Sequence, residues 1–141
     1  MTLTQVYTGR TRYLARHEVG PHTLLVAISC SPGDLPGGGV ALLDTAAEWC
    51  VLPRPLAEEL GVADGAGPAI RLNTRFGTFH GTLERLPVRF LAATGESVIV
   101  EATWFVSPEW PGPVVLGWVG CLQRVRFALD PAGEDFYFAS L

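Results

Sequence analysis

Short apolar runs alternate along the chain with breaks rich in glycine and proline, a rhythm that predicts strands joined by turns. Residues 22–30, His22 through Leu24-Leu25-Val26-Ala27-Ile28 to Cys30, read as a strand entered through the break Gly20-Pro21. A second strand partner in residues 13–19 makes this a hairpin. A loop over residues 31–39 then releases the chain into the apolar run Val40-Ala41-Leu42-Leu43. Residues 69–82 alternate apolar with polar around Asn73-Thr74-Arg75-Phe76-Gly77, the pattern of a hairpin with glycine near its tip. Residues 86–91 and 97–106 predict two more strands flanking the turn 93–96. Beyond a proline-rich segment, Val114-Val115-Leu116-Gly117 and the runs 124–129 and 136–138 complete the set. One segment has helical spacing: in residues 54–61, Leu56 and Leu60 fall one turn apart, Pro55 suits the first turn and Gly61 suits the stop.

This pattern implies an all-β fold with one short helix, and the composition agrees. The 141 residues allow one compact domain, with the first twelve or so read as an arm or a strand for a dimer. Hydrophobic residues make up 48% and charged residues 17%, a balance that predicts folding. The net charge of −4 supplies no cationic surface for a phosphate backbone, so no nucleic-acid partner is expected. Cys30, Cys50 and Cys121 cannot all pair within one chain and lack zinc-knuckle spacing, so reduced core thiols are expected. The polar start and the lack of a long apolar segment point to a cytoplasmic protein without a membrane partner.

Chemistry concentrates at Val40-Ala41-Leu42-Leu43-Asp44-Thr45-Ala46-Ala47, where an apolar strand delivers a carboxylate into a turn of small residues. Burying such a carboxylate is costly unless it is hydrogen-bonded, paired or used. A structural role is available, because aspartate at a strand end can cap a turn by accepting backbone N–H groups.

The order of segments adds a second reading. Asp44-Thr45-Ala46-Ala47, followed by Val51-Leu52-Pro53 and the helix, resembles the catalytic region of retropepsin-like aspartic proteases. Val115-Leu116-Gly117 resembles that family's second signature, and residues 72–82 occupy the place of its flap hairpin. The resemblance implies a closed β-barrel that works as a two-fold homodimer, each chain giving one catalytic Asp44. Two carboxylates within about 3 Å share a proton, and the ionised one acts as general base toward water while the other polarises the scissile carbonyl. By the same resemblance Thr45 braces the dimer, Ala46 stands where the family has glycine, and Ala47, Glu48, Arg75, Phe76 and Gly77 lie near a peptide or protein substrate. Val115, Leu116 and Gly117 pack beneath the turn. The expectation is thus an aspartic endopeptidase with neither metal nor organic cofactor. A non-catalytic dimer that binds peptides is the alternative that Ala46 raises, since an added Cβ can crowd the site floor. A barrel holding an apolar ligand is a third. Serine, cysteine and metal hydrolases lack their motifs here.

Overall fold

The computed structural model describes residues 6–16, 25–33, 35–74 and 77–141. Its elements are β1 (Gly9–Arg12), β2 (Leu14–Arg16), β3 (Leu25–Pro32), β4 (Gly39–Leu43), β5 (Cys50–Leu52), α1 (Arg54–Glu59), β6 (Ala69–Thr74), β7 (Gly77–Phe90), β8 (Thr94–Gly95), β9 (Val98–Val106), β10 (Val114–Leu116), β11 (Val125–Asp130) and β12 (Asp135–Ser140). A 3-10 turn, Leu122–Arg124, precedes β11.

Six strands close a barrel in the order β3-β4-β10-β5-β9-β7, and β7 returns to β3 through Cys30↔Phe90, Ser31↔Arg89 and Pro32↔Val88. Closure leaves these strands without free edges, while β2 and β6 extend the sheet beside β3 and β7. Two pairs are parallel, β4 with β10 and β5 with β9. The remaining strands build a second sheet ordered β11-β12-β1-β8. The stretch read as an arm therefore supplies β1, which pairs with β12 and β8 of its own chain.

The all-β reading, the barrel and the short helix at residues 54–59 hold among the described residues, with differences of detail. Residues 77–90 form one strand, although the sequence reading divided them between the hairpin and a separate run. β5 and β8 are too short, at three and two residues, to show a period. The helix begins after Pro53, keeps Pro55 in its first turn and stops where Gly61 takes φ +72°. Ala57 is buried and the half-buried Leu56 and Leu60 pack on the core, so one apolar face ties the helix to the barrel.

Trp104, Phe90, Phe136 and Phe138 are fully buried, along with Leu52, Leu116 and Leu122. Each buried side chain of this size contributes roughly 1.5–3 kcal/mol. Phe90 of the barrel lies 5.9 Å from Phe138 and 6.3 Å from Phe136, so one aromatic cluster holds the two sheets together. The indole of Trp104 donates to Leu86 O at 3.1 Å, which satisfies its polar atom inside the core. Among the described residues no helix is long and apolar enough to cross a membrane.

Candidate active site

β4 ends at Leu43, and the chain turns at once. The parallel register Leu42↔Val115 and Leu43↔Leu116 sets β4 on β10, and the Asp44 N–H extends that ladder by donating to Leu116 O at 3.0 Å. Ala47 N–H donates back to Asp44 O at 3.2 Å and closes the turn. The Asp44 side chain then accepts two amides on Oδ1, from Ala46 at 3.0 Å and Ala47 at 3.2 Å. The turn-capping role is therefore realised. The residue is nevertheless exposed, so a single chain carries no cost for a buried charge. No hydrogen bond to Oδ2 forms within the described residues.

The neighbours of Asp44 are equally open. Thr45, Ala46 and Glu48 are exposed and Ala47 is half-buried. The Thr45 hydroxyl has no partner among the described residues. Ala46 sits without backbone strain, because Glu134 is the one non-glycine residue with positive φ among those described. An alanine in the family's glycine position thus costs nothing in dihedral energy here.

Val115, Leu116 and Gly117 are buried directly behind this turn. A Cβ on Gly117 would lie 2.3 Å from Trp49 O and 2.4 Å from Trp49 C, so only glycine lets the backbone of residues 47–49 approach so closely. Gly117 N–H donates to Cys50 Sγ at 3.4 Å. Two further bonds, Trp118 N–H to Ala47 O and Val119 N–H to Glu48 O, both 2.8 Å, fasten the following residues to the turn. Sequence reading missed this latch; the only signal was a glycine on each side of Trp118-Val119, and Gly120 has φ +75°.

The three thiols are free and buried, as expected. Burial pushes Cys30 up to about 12, with Cys50 nearby adding to the rise. Cys121 is held well above the usual thiol range by its hydrogen bond with Cys50 and then by burial. Cys50 belongs to the floor of the turn, because it meets Gly117.

The hairpin expected over residues 72–82 forms from β6 and β7, with Thr74↔Gly77 as its last pair. Arg75 and Phe76, read as its tip, lie outside the described residues. Gly77 is exposed with φ +126°. An apolar cluster of Val51, Phe79, Phe105 and Val115 joins this hairpin to the turn, with Ile70 and Leu72 on one side and Leu42, Ala47 and Trp49 on the other. Trp110 seals its rim by meeting Phe79 edge-on at 5.3 Å. Three tryptophans differ in setting: Trp104 is core, Trp110 is half-buried at this rim and Trp118 is exposed. Two surface concavities, one beside Arg10 and Asp135 and one beside Leu35 and Leu56, do not reach Asp44. Among the described residues no group of histidine, cysteine or acidic side chains has the arrangement of a metal site.

No family model and no curated protein sequence matches the chain. Solved structures do. A retropepsin-like aspartic protease from Rickettsia conorii superposes with a TM-score of 0.55 at 20% identity, covering 94% of each chain. The retroviral protease-like domain of Ddi1 from Leishmania major superposes with a TM-score of 0.49 at 13% identity, covering 83% of this chain and 94% of its own. The closed barrel, the parallel β4–β10 pair and the near-complete overlap with the rickettsial structure identify the architecture as the retropepsin-like fold.

Proposed function

We propose that the chain is an aspartic endopeptidase that works as a homodimer, two Asp44 carboxylates holding the attacking water between them. The observation that carries this reading is the presentation of Asp44, exposed at the end of β4, with Oδ1 tethered by two amides. The tether orients the carboxylate and leaves Oδ2 for a partner or a water. A two-fold axis at this point brings identical carboxylates together. One proton shared between them lets one member act as base and the other as acid, and water adds to the scissile carbonyl. The exposed Thr45 hydroxyl, both donor and acceptor, is suited to a bond across the axis. Optimal activity is expected on the acidic side of neutral.

The hairpin lies over the apolar cluster that it shares with the turn, a setting for an extended peptide with apolar side chains. Ala47, Glu48 and Gly77 are assigned to its path, together with Arg75 and Phe76. Three unpaired thiols fit a reducing compartment and support a cytoplasmic setting.

The test is cleavage of an apolar peptide library by the purified chain and by Asp44→Asn. The asparagine Oδ1 can keep both amide bonds, so folding should persist while the rate falls by roughly 10²–10⁴-fold. Mixing the variant with wild type should poison activity through mixed dimers. Cleavage that survives in Asp44→Asn overturns the mechanism. Peptide binding without cleavage in both proteins establishes instead the binding dimer that Ala46 suggests.

A further inference from the structure

Trp118 and Val119 stand out among the exposed apolar side chains, at 44% and 36% exposure, because their backbone is held so firmly. Their amides donate to Ala47 O and Glu48 O, and Trp118 O accepts from Cys121 N–H at 3.3 Å and Gln123 N–H at 3.2 Å. Gly120 N–H donates to the Gln123 side chain at 2.9 Å, which completes a tight loop. An indole on such a rigid base loses little backbone entropy when it docks, and tryptophan is the residue most enriched at the energetic centres of interfaces.

Two features indicate what covers it. The first is continuity: residues 117–119 and the Asp44 turn form one hydrogen-bonded unit, so the shelf is carried by the same unit that presents Asp44. The second is separation from the peptide path, since neither Trp118 nor Val119 packs against the cluster shared with the hairpin. We infer that the Trp118–Val119 shelf is a self-association surface, packing on a second copy of this chain beside the aspartate pair and setting the approach of the two catalytic turns. This inference rests on the two-aspartate reading and assigns its partner surface.

The experiment measures association of the full-length chain by sedimentation velocity across a dilution series. It compares wild type with Trp118→Asp and with a control, Ile99→Asp, which charges a 57% exposed side chain on β9. Wild type should dimerise, Trp118→Asp should weaken the dimer at least about tenfold, and Ile99→Asp should leave it unchanged. Circular dichroism should show all three equally folded. Peptidase activity of Trp118→Asp should return at high protein concentration with KM unaltered. A wild-type dimer unaffected by Trp118→Asp overturns the shelf while sparing the aspartate pair. A raised KM with undiminished dimerisation reassigns the shelf to substrate. A wild type that stays monomeric throughout overturns both readings.

Discussion

At the scale of single residues, the departure from the family pattern at Ala46 separates two accounts of the turn. Because Ala46 has no positive φ and sits exposed, its Cβ relieves rather than creates conformational cost. Ala46→Gly should therefore destabilise the chain by roughly 0.4–1 kcal/mol, through a looser unfolded state, and should not raise cleavage. Thermal melting and peptidase assays check both halves. A gain in rate above about tenfold with unchanged melting would show that the methyl group obstructs substrate. Gly117 is the opposite case, since its missing side chain is demanded by the carbonyl of Trp49. The sequence displayed Asp44-Thr45-Ala46-Ala47 and Val115-Leu116-Gly117 plainly, and the structure sets them against each other. It did not display the latch from Trp118 and Val119, because backbone hydrogen bonds leave no mark on side-chain composition.

Elements show what periodicity can reveal and where it fails. β6 alternates exposed with half-buried positions, so its half of the hairpin was legible. β7 was read in pieces, one ending at Thr82 and the next running from Leu86 with Pro87 inside it, although proline ordinarily breaks an interior strand. The structure tolerates it for a local reason: β6 pairs with β7 only as far as Thr82, and β3 joins only at Val88. Pro87 falls in the interval where one side of the strand has no ladder to interrupt. Cys30 sits where the barrel closes, opposite Gly39 on β4 and Phe90 on β7. Its thiol is raised to about 12 in the folded chain, chiefly by burial. The unfolded chain ionises first, near the ordinary thiol value, so it binds fewer protons than the folded chain as pH rises. Stability from this group is complete below about pH 9 and declines toward pH 12, by at most about 1.4 kcal/mol per pH unit. Denaturant titrations at pH 8 to 11 should show that decline, and Cys30→Val should make it shallower, with the raised Cys121 thiol keeping part of the slope. Equal slopes in both proteins would mean that other groups govern alkaline unfolding.

Across the whole molecule, the pairing that shapes the site joins distant parts of the chain. Hairpins β6–β7 and β11–β12 close over short connections, whereas Ala41 must find Val114 before β4 and β10 can zip. Long loops cost more entropy to close, and such contacts reward the chain late. Pulsed hydrogen exchange during refolding should therefore protect the amides of both hairpins before that of Asp44, which bonds to Leu116 O. Simultaneous protection would reject this order. A half-made polypeptide consequently carries its acidic residue in an unstructured setting. On the proposed two-aspartate reading, reactivity would wait until synthesis has passed residue 116, and an unfinished chain would stay inert toward its surroundings.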